Sequence, residues 1–252
     1  MSTDPWQLLD GASRVLAVHA HPDDESLSTG ALLAALAAAG TRVVLVTATR
    51  GEEGEVVPGA VADGDERPLE EIREQEIDAA AAALGILERH WLGTSPALAP
   101  GAAPRRYRDS GMTWVREGLA GPSPDAGPDS FSLAPLDRAV DDLVALVEQE
   151  RPDVLIGYDD EGTYGHPDHV RAHHLAVAAS ERTGVPLVQI ASGIDAPGAV
   201  VREHPGVAAA VGTAVDSYRT QLTLVGPVEG GFAIRHVGGQ DDVVALRTGL
   251  RG

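Results

Sequence analysis

Short apolar runs alternate along the chain with longer segments in which apolar residues recur at helical spacing. Runs rich in Val, Leu and Ile predict buried strands at 14–20, 41–49, 153–158 and 185–191, with a weaker strand at 89–93. Helical periodicity predicts helices at 30–40, 68–83 and 133–152, and one that begins near Pro167. This alternation indicates an α/β fold with a Rossmann-like, mostly parallel sheet and helices on both faces. Ligands of such sheets bind beyond the carboxyl ends of the strands.

Two segments depart from this pattern. Residues 94–130 are rich in Pro, Gly and Ser and keep no sustained period, which indicates a long functional or disordered loop. Beyond residue 192 the pattern weakens to a helix near 206–221 and short strands at 222–226 and 231–237. We therefore expect one domain over 1–252, with a core of about 14–192 and a C-terminal part, 193–252, as a small cap or subdomain.

Composition narrows the function classes. The net charge of −19 argues against binding to nucleic acid. The chain has no cysteine and no lysine, which excludes thiol and Schiff-base chemistry and leaves His, Asp and Glu as metal ligands. The first residues lack the basic and apolar regions of a signal peptide, and no apolar stretch reaches the length of a membrane span. We expect a cytoplasmic protein without a membrane partner.

Candidate chemistry is concentrated at the ends of two predicted strands. The stretch "AVHAHPDDES" places His21 and Asp24 just beyond the first strand, and "YGHPDHV" places His166, Asp168 and His169 beyond a later one. Imidazole and carboxylate are good zinc ligands, and one ligand from the second turn would complete a three-ligand catalytic site. A single "HPDD" is more often a solvated acidic turn, but two such turns at strand ends favour a metal site. A serine hydrolase is disfavoured because the chain has no G-x-S-x-G motif.

The pair "AHPDDE" and "YGHPDHV" resembles the signature of the LmbE-like (PIG-L) zinc-dependent N-deacetylases. The likeness continues through "VTATRGEEGEV", "REQEI" and "YRDSGM", and covers about residues 14–180. Among its members, the chain is most similar to the actinobacterial deacetylases of mycothiol biosynthesis, which act on N-acetylglucosaminyl-inositol. The C-terminal part departs from them, and this leaves the identity of the substrate open.

The resemblance implies a role for each matching residue. The implied zinc ligands are His21, Asp24 and His169. The implied catalytic residues are Asp23 as general base, His166 as general acid or electrostatic stabiliser, Asp168 holding His166, and Tyr164 near the carbonyl oxygen. The implied substrate contacts are Ser28, Glu55, Arg73 and Asp109. For Arg73, an ion pair within its own helix is the plainer alternative.

These residues predict a metal-dependent amide hydrolase that removes the N-acetyl group from a small GlcNAc-containing molecule. A mycothiol-conjugate amidase and a natural-product deacetylase are the enzymatic alternatives, and a sugar- or metal-binding module is the non-enzymatic one. Zn²⁺ is the expected cofactor, although two histidines and an aspartate also suit Fe²⁺. The expected partner is an amino-sugar substrate, and association into a homo-oligomer stays open.

Overall fold

The predicted alternation of strands and helices is present in the computed structural model of the protein, which describes residues 4–252. The strands are β1 (Arg14–His19), β2 (Arg42–Thr47), β3 (Glu88–Trp91), β4 (Met112–Arg116), β5 (Leu119–Pro122), β6 (Val154–Tyr158), β7 (Leu187–Ile190), β8 (Val200–Glu203), β9 (Leu222–Val228), β10 (Gly231–His236), β11 (Asp241–Ala245) and β12 (Arg247–Arg251). The helices are α1 (Pro5–Asp10), α2 (Asp24–Leu27), α3 (Gly30–Ala38), α4 (Leu69–Leu84), α5 (Leu136–Glu150), α6 (Gly162–Gly165), α7 (Pro167–Thr183) and α8 (Ala208–Ser217).

Seven strands form the main sheet, in the order β3-β2-β1-β6-β7-β12-β8. The strands from β3 to β7 run parallel to their neighbours, whereas β12 is antiparallel to both β7 and β8. The predicted mostly parallel α/β fold is therefore confirmed. Because β1 and β6 are paired, the segments that follow them leave the same edge of the sheet side by side.

Helices cover both faces of this sheet, because successive side chains of a buried strand point to opposite sides. Val15 and Ala17 of β1 pack in one apolar core with α3, α4 and α8. Leu16 and Val18 pack in a second core with α5 and α7. The near-continuous apolar strands seen in the sequence thus reflect burial on two sides.

Residues 94–130 contain more regular structure than the sequence indicated. β4 and β5 pair as an antiparallel hairpin between residues 112 and 122. The expectation of an irregular loop throughout was wrong here, because β4 is mostly exposed and so lacks the apolar run that marks a buried strand.

The C-terminal part is divided between two sheets. β8 and β12 belong to the main sheet, whereas β9, β10 and β11 form a separate antiparallel sheet in the order β11-β10-β9. A boundary near residue 192 and one domain over 1–252 stay predictions, and residues 1–3 lie outside the described residues. Within residues 4–252, no helix is both long and apolar enough to cross a bilayer.

Candidate metal centre

The turns that follow β1 and β6 meet at the carboxyl edge of the main sheet. His21 and Asp24 come from the first turn, and His169 comes from the first turn of α7. α7 starts at Pro167, where a missing N–H leaves no donor unpaired, and His166 caps it by accepting a hydrogen bond from the backbone N–H of Asp168 at 3.2 Å. The cap fixes both histidines of this turn relative to the sheet.

Three side chains converge closely enough to hold one ion. His21 Nδ1 lies 3.3 Å from Asp24 Oδ2 and 3.3 Å from His169 Nε2. Asp24 Oδ1 lies 3.2 Å from His169 Nε2. In a tetrahedral zinc site with bonds of about 2.0–2.1 Å, neighbouring ligand atoms are about 3.3 Å apart. The predicted donor set is therefore spaced for a zinc-sized ion, with Asp24 presenting Oδ2 to His21 and Oδ1 to His169.

Hydrogen bonds behind the donors fix the orientation of both imidazoles. His169 Nδ1 pairs with Thr163 Oγ1 at 2.7 Å, which directs Nε2 toward the other donors. His21 Nε2 lies 3.3 Å from Asp168 Oδ2 and 3.5 Å from Asp109 Oδ1, which directs Nδ1 inward. Such partners set the ring orientation and the basicity of histidine ligands in metal sites.

The charges of the donors are strongly linked. Burial alone raises the pKa of Asp24, but His169 and then His21 outweigh it and hold that pKa well below its ordinary value. Burial likewise opposes the imidazolium of His21, but Asp109, Asp168 and Asp24 raise its pKa well above the usual range. The site therefore keeps Asp24 ionised and concentrates negative charge around His21, an environment suited to a cation.

Asp23 lies beside the donors in an unusual backbone conformation, with a φ of 105°. Its backbone N–H donates to Glu25 Oε2 at 3.2 Å, and Glu25 is fully buried. Burial first, and then the Asp24 carboxylate, raise the pKa of Asp23, while Arg73 opposes them. A carboxylate held at this place could exchange a proton with a water molecule in the cleft.

His166 and Tyr164 also lie close to the donors. The ring of His166 is 4.7 Å from that of His21, and a nitrogen atom of each of His21, His166 and His169 falls within 4.8 Å of the others. Burial, then His21 and His169, lower the pKa of His166, so its imidazole is neutral at neutral pH. The ring of Tyr164 is 5.5 Å from that of His169.

Asp168 differs from its expected place. Its carboxylate contacts His21 and accepts hydrogen bonds from the backbone N–H and the hydroxyl of Ser110, and only its backbone N–H reaches His166. The carboxylate is engaged by His21 and Ser110, whereas His166 caps the helix and receives the Asp168 backbone N–H. Asp168 therefore orients His21 and is itself held by Ser110.

The four expected substrate contacts line one cleft of about 690 Å³ that opens above the donors. They are Ser28, Glu55, Arg73 and Asp109. The Arg73 guanidinium is already bonded to the Gly51 carbonyl and the Gln221 side chain, so it fastens the loop after β2 to the start of β9. A side chain at Gly51 or Gly54 would clash with this guanidinium, which explains both glycines of the "RGEEGE" segment.

Other residues that line the cleft were not predicted from the sequence. Met112 and Trp114 come from the β4–β5 hairpin. Six residues between 236 and 242 come from the end of β10, the loop after it and the start of β11, together called the 236–242 turn below. The alternation of "MTWVREGLAGP" around Gly118, which has a φ of 73°, is the hairpin signal that could have located the first pair. The turn at 236–242 reaches the cleft only through tertiary packing.

The parallel sheet and the His21–Asp24–His169 set define an α/β protein with a candidate metal-binding cleft beyond the carboxyl ends of its strands. A model of the PIG-L family, described as GlcNAc-PI de-N-acetylase, matches residues 16–180. The chain belongs to this family.

Its curated relatives carry a more specific name. The chain is 46% identical over 177 residues to the 1D-myo-inositol 2-acetamido-2-deoxy-alpha-D-glucopyranoside deacetylase of Nocardioides sp., with 69% of this chain and 55% of that protein covered. The enzyme of the same name from Streptomyces avermitilis is also 46% identical, with 69% and 54% covered. The chain thus spans about half the length of the curated relatives it matches.

Solved structures share the fold. N,N'-diacetylchitobiose deacetylase from Pyrococcus horikoshii superposes with a TM-score of 0.59 at 19% identity, over 86% of this chain and 73% of that one. The zinc-inhibited form of teicoplanin deacetylase Orf2 superposes with a TM-score of 0.56 at 21% identity, over 82% and 84%.

Proposed function

We propose that this protein is a metal-dependent hydrolase that removes the acetyl group from an N-acetylglucosamine-containing small molecule such as N-acetylglucosaminyl-inositol. The observation that carries the proposal is the convergence of His21, Asp24 and His169 at 3.2–3.3 Å beside Asp23. Membership of the PIG-L family and the names of the curated relatives support the same reaction.

The residues at and around the metal donors each have a role in the proposed reaction. A zinc ion held by the three donors would lower the pKa of a bound water and polarise the acetamide carbonyl. Asp23 accepts a proton from the attacking water, and the Tyr164 hydroxyl donates a hydrogen bond as negative charge develops on the carbonyl oxygen. The departing amine receives the proton that Asp23 has accepted, and the neutral imidazole of His166 acts as the electrostatic stabiliser by donating a hydrogen bond. Asp168 and Asp109 hold His21, and Ser28, Glu55 and Arg73 line the cleft in which the sugar would bind.

The test is a substrate panel. Zinc-loaded protein is incubated with N-acetylglucosaminyl-inositol, simple N-acetylglucosaminides and mycothiol conjugates, and acetate and free amine are measured. Acetate release from the first compound supports the proposal. Cleavage of the conjugates alone would replace it with the amidase. Zinc binding without turnover of any compound would leave the binding module.

The identity of the metal, the location and the oligomeric state are tested separately. Two imidazoles and one carboxylate favour zinc but also suit iron(II), and metal analysis after purification without air decides between them. The cytoplasmic location, the single domain and the homo-oligomeric state stay predictions, the last to be checked by light scattering.

A further inference from the structure

The cleft has an inner end at the metal donors and an outer end farther from the sheet. Its volume is about 690 Å³, and its lining extends from His21 and Asp24 to Trp114 and Gln240. The donors and Asp23 occupy the inner end, so an acetamido sugar placed there leaves the outer end free.

One wall of the outer end is aromatic. The ring of Trp114 lies 5.6 Å from that of Tyr164, which in turn lies 5.5 Å from that of His169. The Tyr164 ring therefore lies between His169, a metal donor, and the indole of Trp114. Trp114 is 53% exposed although it lines the cleft, so it offers a flat apolar surface against which the C–H groups of a sugar ring can pack.

Polar groups of the 236–242 turn line the same cleft. His236 and Asp242 are fixed to each other, with Nε2 and Oδ2 3.2 Å apart, and the exposed Gln240 lies between them in the sequence. The side chain of Gln240 folds against Gly238, where a Cβ atom would meet its amide at 2.6 Å. These groups can bond hydroxyls around the rim of a ring whose face rests on the indole.

We propose that Trp114 and the 236–242 turn form an outer subsite for the second, hydroxylated ring of a two-ring glycoside whose first ring carries the acetamido group. This inference rests on the proposed function and deepens it. Trp114 lies away from the reacting atoms and acts as a specificity residue. The 236–242 turn lies outside the segment matched by the family model, residues 16–180.

The experiment compares Trp114→Ala with the parent protein on two substrates. For N-acetylglucosaminyl-inositol, kcat/KM falls by about tenfold, mainly through KM, because the stacking surface is lost. For N-acetylglucosamine, which lacks the second ring, kcat/KM changes by less than about twofold. Trp114→Phe keeps a flat ring and recovers most of the loss. Gln240→Ala lowers kcat/KM for the two-ring substrate in the same selective way.

Val115→Ala is the matched control, because Val115 is the next residue of β4 and is 67% exposed. It leaves both substrates unchanged. Equal losses on both substrates in Trp114→Ala, or no loss on either, overturn the subsite.

Calorimetry separates the subsite from the reaction. If the parent protein releases no acetate, the proposed function fails, and the affinity for N-acetylglucosaminyl-inositol still reports on the outer end. Weaker binding to Trp114→Ala than to the parent supports the subsite, and the same Kd in both proteins, or no binding to either, overturns it.

Discussion

Asp23 holds a backbone conformation that residues with a side chain rarely adopt, and a buried carboxylate keeps it there. Glu25 accepts the backbone N–H of Asp23 and is itself held by the hydroxyls of Tyr218 and Ser26 at 2.7 and 2.6 Å. Tyr218 follows α8, so the place of the proposed general base depends on the C-terminal part of the chain. Glu25 thus positions Asp23.

We predict that Tyr218→Phe lowers kcat by about tenfold and leaves KM and zinc content unchanged. The variant keeps the ring in its fully buried site but removes the hydrogen bond to Glu25, which loosens the Asp23 backbone. Steady-state kinetics and metal analysis measure the three quantities. A matched control is Tyr107→Phe, whose hydroxyl bonds Asp142 in another part of the protein. A fall in zinc content with kcat unchanged would contradict this role.

Asp23→Asn separates proton transfer from metal binding. We expect the variant to keep its zinc and to lose acetate release by about 10²–10⁴-fold, because the amide cannot accept a proton. His169→Ala is the counterpart and loses the metal. Metal content by mass spectrometry and acetate release by coupled assay are measured together. Normal turnover in Asp23→Asn would remove this residue as the base.

Site residues that lie close together along the chain could be predicted from the sequence. His21 and Asp24 are three positions apart after a strand, and the pattern of such a turn can be read directly. The link from Glu25 to Tyr218 spans 193 positions, and that from Ser110 to Asp168 spans 58. No periodicity connects residues so far apart, so these supports become visible only in the folded chain.

At the scale of elements, the buried strands and long helices were predictable because burial on two faces leaves a strong apolar pattern. β1, β2 and β6 each contain five buried residues. β4 and β8 are largely exposed and carry little such signal, and both were missed. The antiparallel place of β12 in the sheet is fixed by tertiary pairing, for which its own residues give no local sign.

One carboxylate joins the starts of two central strands. Asp153, just before β6, accepts hydrogen bonds from the backbone N–H and hydroxyl of Ser13 at 2.8 and 2.9 Å, and from the backbone N–H of Arg14 at 2.9 Å. The bond from Arg14, followed by those from Ser13, lowers the pKa of Asp153 below its ordinary 3.8. Its stabilisation is therefore fully present above that pH and is lost as the pH falls through the lowered value.

We predict that Asp153→Asn lowers the free energy of unfolding by about 1 kcal/mol at neutral pH. The difference from the parent shrinks as the pH falls from about 6 to below 3, because the parent carboxylate becomes neutral there. Urea unfolding at several pH values measures it. Asp63→Asn, at an exposed position, serves as the control. A difference that is constant with pH would show that the charge of Asp153 adds nothing.

At the scale of the molecule, a metal held by residues from two separate turns should link binding to folding. We predict that zinc raises Tm by about 10 °C over chelator-treated protein, since a ligand at a thousand times its Kd adds about 4 kcal/mol. Scanning calorimetry with EDTA, with added Zn²⁺ and with added Fe²⁺ measures the increment. His169→Ala abolishes the increment if the assignment holds. A metal-dependent rise that persists in His169→Ala would place the ion elsewhere.

The main sheet is not built in the order in which the chain is synthesised. β12 lies between β7 and β8 but is made after both, and within residues 4–252 β8 pairs with no strand of the sheet other than β12. During synthesis, the edge of β7 therefore stays unpaired until β12 has left the ribosome. β8 has no strand to pair with over the same period. Chains that stop before β12 keep this unpaired edge, which can pair with strands of other molecules. We expect chaperones and proteases to act on such chains.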